Sequence, residues 1–477
     1  MKVKAYKQGA PGEPSFPDDY EILEKAVLQK TDLKANNNKY YAIELHRAGN
    51  EYRVYTHYGR TDDLETNPNA GTRESRYFFT NGAGAKACYD SIYREKTSPR
   101  KGYKEVSLAA SNIGSHKARG TSSGHIDDKT LAKLAQKKAA KPRIAPSTLP
   151  PGVQALVSYI YDEATSALTS TVNARITANG IETPLGILTI GQIEKGEAIL
   201  DELYRLFKEG KPDPRRDEEM ARLSGEFYTV IPHRIGRSRS AVQEAVIDTF
   251  EEFQAKQETL QLMKDMLKVN GDGGENILFD AQIDQKYRAL GCEIGWIEPG
   301  SSAFRELEDY VVRSQVKSHN VRVKHIYTLK RASEHAVFTE SIGNQRLLFH
   351  GSRIKNWVGI LSRGILLPKI VVSMGVNRTD AGWLGHGIYF GDAACTSTFY
   401  TTPGRKGTRL MALARVALGK TKDFTKITYG LTAPPPGYDS CHGVRRKPGV
   451  ASDFDDDEWV IYRTEQQRLE YLVEFVA

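Results

Sequence analysis

Three residues of the kind that do chemistry stand far apart in this 477-residue chain: His350, Tyr389 and Glu458, separated by 39 and 69 positions. His350 closes the apolar run Leu347-Leu348-Phe349 and is followed at once by Gly351 and Ser352. A strand that ends this way can present an imidazole, an exposed backbone and a hydroxyl on one wall of a cleft, and glycine is apt where a ligand must approach the main chain closely. The plainer alternative is a satisfied histidine at a strand end followed by a turn. Tyr389 lies in a short run from Gly387 to Phe390, with Ser397 and Tyr400 just beyond it. Aromatic faces suit an electron-poor ring by offset stacking and cation–π attraction, although most of the 24 tyrosines here belong to core or rim. Glu458 ends the acidic run Asp453, Asp455, Asp456, Asp457 and opens the strand Trp459-Val460-Ile461-Tyr462. A carboxylate at the mouth of a strand is held where it can stabilise developing positive charge. The aspartates before it read as a free, solvated loop, and that reading extends to Glu458 if its strand is set aside.

The elements that must carry these residues follow from hydrophobic period. Strand patterns occur at Val321/Val323/Tyr327/Leu329, Arg346 to His350, Gly387 to Phe390, Leu410/Ala412/Ala414/Val416, Trp459 to Tyr462 and Leu469/Tyr471/Val473/Phe475. They are too closely spaced for regular βαβ units, so a mainly antiparallel sheet with a few helices is predicted over 270–477. Residues 149–269 change to a helical period. One stripe runs Val153, Leu156, Val157, Ile160, Ala164, Leu168, Val172, a second Ile193, Leu200, Leu203, Phe207, and a third Val242, Val246, Phe250, Phe253, Leu260, Met263, Leu267. Capping-box spacings at Thr189-x-x-Gln192 and Ser240-x-x-Gln243 mark two starts. Residues 1–110 predict a small sheet with one helix, with Tyr41, Ile43 and Leu45 alternating against Ala42 and Glu44 as in a half-buried strand. Residues 111–148, rich in Lys, Ala, Ser and Gly, read as a basic linker. The whole is a multidomain α+β chain, in keeping with a length prior of about three domains.

Charge is unevenly spread within a net +8. The linker holds eight Lys/Arg and two Asp, and residues 149–477 hold 41 basic against 42 acidic side chains, so attraction for phosphate belongs to the N-terminal part. Lysines that merely keep a linker extended would give the same count. The four cysteines, Cys88, Cys292, Cys395 and Cys441, form no CxxC pair; free thiols in a reducing compartment are expected, without a zinc knuckle or a disulfide framework. No apolar run approaches the roughly 20 residues that span a bilayer, and the N-terminus has no apolar core of a secretory signal. An intracellular protein without membrane contact is the expectation.

Three stretches in order, LLFHGSRIKNWVGILSRGI, GHGIYFGDAACTSTFY and DDDEWVIYRTEQQRLEYLVEF, resemble the ADP-ribosyltransferase domain of the poly(ADP-ribose) polymerases. ETPLGILTIGQIEKG and GEFYTVIPH resemble that family's regulatory helical domain, and VYTHYGR its WGR domain, as in the DNA-dependent members that lack zinc fingers. The resemblance implies four segments: a WGR-like DNA-binding domain, 1–110; the linker, 111–148; a regulatory helical domain, 149–269, expected to be all-α; and a catalytic domain, 270–477.

The resemblance also implies a reaction. NAD⁺ is a consumed co-substrate, no metal takes part, and ADP-ribose passes to protein acceptors, the chain itself among them. Glu458 is the expected catalytic carboxylate. His350 is expected to meet the adenosine ribose, the Gly351 backbone the nicotinamide carboxamide with Ser352 beside it and the Ser397 hydroxyl completing that contact, Tyr389 and Tyr400 the two faces of the nicotinamide ring, and Asn356 the adenosine side. DNA with strand breaks is the expected stimulating partner through Tyr58, Gly59 and Arg60, in a DNA damage response that is nuclear if the source is eukaryotic. The helical segment is expected to restrain the cleft until DNA binds. Three departures stand out: Tyr58 replaces the defining Trp, Thr396 replaces a usual Lys, and Lys420 to Asp457 is short. They keep alive a mono-ADP-ribosyltransferase without chain elongation, and an inactive scaffold that binds DNA ends.

Overall fold

The computed structural model describes residues 3–118, 146–209, 213–269, 283–367 and 382–477, apart from 68, 112, 173, 178–179, 234, 236–237, 239, 242–243 and 317. Two compact units emerge, Met1–Ile144 with Leu168–Leu267, and Ala145–Ala167 with Lys268–Ala477.

In the first unit β1 (Tyr6–Lys7), β2 (Glu21–Asp32), β3 (Asn37–Ala48), β4 (Glu51–Arg60), β5 (Thr72–Phe79) and β6 (Lys104–Glu105) form an antiparallel sheet of order β1-β5-β4-β3-β2-β6. A helix, Gly82–Thr97, starts where the Asn81 side chain accepts the Gly84 N–H and packs Ala85 and Tyr89 against Ile43 and Val54. Alternation on β3 predicts a wet second face, yet Ala42 and Glu44 are as buried as their neighbours. The cause lies in residues 113–118, which read as linker but pack on that face: the Ser115 N–H donates to the Glu44 carboxylate at 3.2 Å, and the Gly114 N–H donates to His57 Nδ1. The basic stretch that follows, 119–145, lies outside the described residues.

Glu44 is therefore a buried acid with buried partners. The His46 Nε2–H donates to it at 2.8 Å and the Lys25 ammonium lies 3.7 Å away. Burial opposes the charge, but the His46 N–H and Lys25 hold the carboxyl below its usual range, while burial lowers Lys25. Breaking such a group by removing one partner strands the other charge. Glu44→Ala is expected to cost about 3–5 kcal/mol in urea unfolding, and adding Lys25→Met is expected to recover part of it; a loss below 1 kcal/mol would contradict this reading.

The segment expected to be all-α holds strands as well, and they pair with one strand that precedes it. β7 (Leu108–Ala110), β8 (Arg175–Thr177), β9 (Gly180–Thr183) and β10 (Gly186–Leu188) make a second sheet of order β7-β10-β9-β8. Helices Ile190–Glu209, Pro214–Val230 and Phe250–Val269 turn most of the second and third stripes inward, but Val246 falls half-buried in a bend before the last of them, so that helix starts later than the stripe predicts. At Thr189 the hydroxyl accepts the Gln192 N–H as the spacing predicts, but the Gln192 amide is buried and bridges Ser107 N and Val230 O instead of reaching back. The Ser240-x-x-Gln243 start falls partly outside the described residues, with Val242. A reciprocal box occurs at Thr249 and Glu252, where each side chain accepts the other's backbone N–H.

The second unit is built on nine strands: β11 (Glu293–Ile297), β12 (Arg322–Lys330), β13 (Gln345–Ser352), β14 (Ile388–Gly391), β15 (Arg409–Ala417), β16 (Thr421–Phe424), β17 (Ser440–Gly443), β18 (Glu458–Ile461) and β19 (Gln467–Val476). Their order is β11-β12-β19-β15-β13-β14-β18-β17-β16, and among the described residues only β16 and β17 run parallel. β11, β16 and β17 show no clear sequence alternation. Most of the helix Pro151–Thr171 belongs to this unit. Its Glu163 carboxylate accepts the Arg405 N–H, and its Tyr159 hydroxyl donates to the Thr408 carbonyl, so it braces the loop after Tyr400.

Candidate active site

The sheet of the second unit comes apart at its middle. β13 pairs with β15 along its whole length, from Gln345 opposite Ala417 to Ser352 opposite Leu410, but with β14 at one rung only, Phe349 opposite Gly391. Beyond that rung His350, Gly351 and Ser352 have no ladder partner on the β14 side among the described residues, so the split leaves a gap with main chain along one wall. β18 continues the other wall, with Gly391 opposite Glu458 and Tyr389 opposite Val460. Alternate residues share a sheet face, so Tyr389 and Glu458 point the same way.

His350 is fixed by what its neighbour can offer. Its Nδ1 lies 3.0 Å from the Tyr389 carbonyl, which can only accept, so Nδ1 carries the proton and Nε2 is left as an acceptor. Burial lowers its pKa, which keeps the ring neutral at pH 7. Tyr389 is clamped at its phenol, donating to the Gly385 carbonyl at 2.8 Å and accepting the Leu384 N–H at 2.9 Å. Burial, and then the neighbouring Glu458 and Tyr400, push its phenol well above the ordinary range. Tyr400, 40% exposed, follows the short helix Ala394–Thr398. Ser397 lies in that helix, buried, and its carbonyl is the reason position 351 is glycine: a Cβ there would stand 2.1 Å from the Ser397 oxygen. Close approach at Gly351 is thus set by the protein itself, before any ligand is considered. Asn356 does not stand alone either, since its amide donates to the Ser352 hydroxyl at 3.1 Å.

Glu458 opens β18 between two glycines, Gly391 on one side and Gly443 on the other. It is 9% exposed, and no hydrogen bond reaches its carboxylate from any described residue. Burial, reinforced by the Asp456 charge, pushes its pKa up to about 7. A group so placed can accept a ligand hydroxyl when ionised, and it titrates where the cell works.

The aspartates before it are not free, and here the sequence reading is corrected. Asp453 accepts the Ile427 N–H and pairs with Lys426, and Asp455 pairs with Arg446. Asp457 accepts from His442 Nε2 at 2.8 Å and from the Arg445 N–H at 2.9 Å. The Trp459 ring is sandwiched by His442, stacked at 3.7 Å, and the Arg346 guanidinium, 4.1 Å from its centroid. The run is a clamp that fixes where β18 begins, and so where Glu458 points. His442 and Arg445 carried no sequence signal; only their pairing across β16–β18 reveals the role. Thr396, 6% exposed, packs against Gly391, so the usual lysine is replaced there by a neutral contact.

The residues expected to meet DNA sit in the first unit. Tyr58 stacks on Tyr41 at 5.1 Å and 8°, and its hydroxyl donates to Glu74. Arg60 donates to the Asn36 carbonyl and to the Asp62 carboxylate, both at 3.2 Å. Gly59 lies where a Cβ would press on Gly71 and Tyr40.

Comparison with known proteins bears on this geometry. The poly(ADP-ribose) polymerase catalytic domain profile matches residues 301–450, the poly(ADP-ribose) polymerase regulatory domain profile 147–271, and the WGR domain profile 24–109. The catalytic match stops short of Glu458. The chain is 36% identical over 332 residues to the human (Homo sapiens) protein mono-ADP-ribosyltransferase PARP4, covering 69% of this chain and 18% of that protein. It is 26% identical over 500 residues to the mouse (Mus musculus) protein mono-ADP-ribosyltransferase PARP3, covering 96% and 88%. With poly [ADP-ribose] polymerase 1 of Arabidopsis thaliana the identity is 25% over 494 residues, covering 96% and 47%. The chain therefore spans less than half of two of these three relatives.

Proposed function

Because the chain belongs to the poly(ADP-ribose) polymerase family, we propose that it transfers ADP-ribose from NAD⁺ to protein side chains, its own included, and releases nicotinamide. The observation that carries this reading is the unbonded Glu458 carboxylate on the same sheet face as Tyr389, at the split where β13 and β14 part. The bond between nicotinamide and ribose C1′ breaks with both electrons leaving on nicotinamide, which departs neutral and needs no acid to protonate it. The sugar then carries oxocarbenium-like charge. Ionised Glu458 stabilises that charge, binds the 2′-hydroxyl and orients the acceptor that attacks C1′. His350 Nε2 accepts from the adenosine ribose, with Asn356 on the same side. Gly351, Ser352 and Ser397 hold the carboxamide, and Tyr389 and Tyr400 stack on the ring.

DNA strand breaks are the proposed stimulus, supported by the WGR match and by the basic N-terminal part. In this reading Arg60 exchanges Asp62 for phosphate, and Tyr58 and Gly59 line the contact. The role is DNA repair, and in a eukaryotic source the nucleus is its place. Labelled-NAD⁺ incorporation with and without nicked DNA tests the proposal: stimulation is expected, and incorporation indifferent to DNA would refute the DNA half alone. The helical segment is proposed to restrain the enzyme at rest. Removing residues 174–267, while keeping the helix Pro151–Thr171 that braces the catalytic unit, is expected to raise basal NAD⁺ consumption severalfold; an unchanged basal rate and DNA dependence would contradict it.

A second reading concerns the product. Thr396 supplies no cation beside Gly391, the ladder partner of Glu458, and two of the relatives above are named mono-ADP-ribosyltransferases. Attachment of single units is the expected outcome on a denaturing gel, and a ladder of products would establish chain growth.

A further inference from the structure

The small sheet of the first unit has two faces, and only one of them packs against its helix. Tyr52, Val54, Tyr58 and Phe78 turn toward Gly82–Thr97. The intervening residues Arg53 and Tyr55 of β4, with Arg73, Ser75 and Tyr77 of β5, turn the other way and line an open cavity of about 440 Å³, flanked by residues of the segments 8–18 and 114–116. That volume lies within the range of small-molecule sites.

Its charged groups are unevenly committed. The Arg53 guanidinium is held 4.3 Å from the Phe16 ring centroid and 4.9 Å from that of Tyr20, and its Nε donates to His46 Nδ1 at 3.1 Å. Its two terminal nitrogens have no hydrogen-bond partner among the described residues. Arg73 makes one long bond, from Nη2 to the Asn69 side-chain oxygen at 3.4 Å. Two guanidinium forks in the lining, four rungs apart along β4 and β5, thus keep most of their donors available. Of the two acids in the lining, Glu13 is already spent, its oxygens accepting from the Tyr77 hydroxyl and the Gly9 N–H. Asp18 is exposed at the edge. Guanidinium forks match the several oxygens of a phosphate better than any neutral group. Phe16, Tyr55 and Tyr77 add ring-bearing walls against which a flat base can lie.

From these features we infer that the cavity binds a phosphate ester of mononucleotide size, separate from the NAD⁺ cleft and from the Tyr58–Arg60 edge. The phosphate lies between Arg53 and Arg73, and the base lies toward the aromatic walls. Asp18 opposes the ligand's charge and keeps the affinity moderate.

Photolabelling of the full chain with 8-azidoadenosine 5′-monophosphate, followed by peptide mapping, tests this directly. Label is expected on peptides spanning residues 8–18 or 73–77, displaced by AMP and not by adenosine. Arg73→Gln, at a half-exposed position, is expected to reduce that label by roughly tenfold, and Asp18→Asn, at an exposed one, to raise it roughly threefold, with thermal unfolding unchanged in both. Displacement by a 5′-phosphorylated trinucleotide as readily as by AMP identifies a strand end as the source of the phosphate, and displacement by AMP alone identifies the free nucleotide. Label confined to the peptides around His350 and Tyr389, or a signal indifferent to both Arg73→Gln and Asp18→Asn, overturns the inference.

Discussion

Glu458→Gln is expected to cut ADP-ribose transfer by roughly two to three orders of magnitude, the usual cost of removing one electrostatic contact to a developing charge. In the proposed mechanism the loss should fall mainly on kcat, with a smaller effect on KM for NAD⁺, because there the carboxylate acts most strongly on a charge that only the transition state carries. The same substitution is expected to stabilise the fold at alkaline pH. The folded-state pKa of Glu458 is raised from 4.5 to about 7 by burial, so the protonated form fits the site and the ionised form does not. Wild type therefore loses stability as pH rises from about 4.5 through about 7, amounting to about 3 kcal/mol by pH 8. Glutamine, neutral throughout, escapes that loss. Thermal unfolding at pH 5 should find the two chains alike, and at pH 8 the variant more stable. A residue that costs stability and raises rate is the signature of a working group. A variant that is equally active, or less stable at pH 8, would assign Glu458 to the scaffold.

The second large effect lies at Gly351. A Cβ there would sit 2.1 Å from the Ser397 carbonyl, a main-chain atom in a buried helix, and 3.1 Å from Thr401. Neither can move without disturbing the turn that carries Tyr400. Gly351→Val should push the Ala394–Thr398 helix away from β13 and abolish saturable NAD⁺ binding, measured by calorimetry, with a loss of more than about 2 kcal/mol in stability from overpacking. Gly351→Ala should show a weaker form of the same defect. Intact NAD⁺ affinity in the valine chain would mean that the cleft is elsewhere.

What could be read before the structure, and what could not, divides along physical lines. The strands bearing His350, Tyr389 and Glu458 announce themselves as short continuous apolar runs, Leu347 to Phe349, Ile388 to Phe390 and Trp459 to Tyr462, and the stripe from Val153 to Val172 by its helical spacing, its seven positions all buried. The second face of β3 is the opposite case. Glu44 looks like a solvent residue, and only residues 113–118, far along the chain, make it an interior one. The Asp453–Asp457 run misleads in the same way, since a charge run shows its sign but not its partners, and His442 and Arg445 come from a segment without periodicity. The single rung between β13 and β14 is also invisible in sequence. Pairing length depends on where two strands diverge, not on which residues they contain.

The most direct measurement is the pH dependence of kcat/KM for labelled-NAD⁺ incorporation, in wild type beside Glu458→Gln. Since kcat/KM reports ionisations of the free enzyme, the wild-type rate should rise with pH through an inflection near 7, where the buried Glu458 loses its proton. The residual rate of the variant should show no such inflection. An identical profile in the two chains would contradict the claim that one ionised carboxylate, held at the split in the sheet, meets the sugar cation.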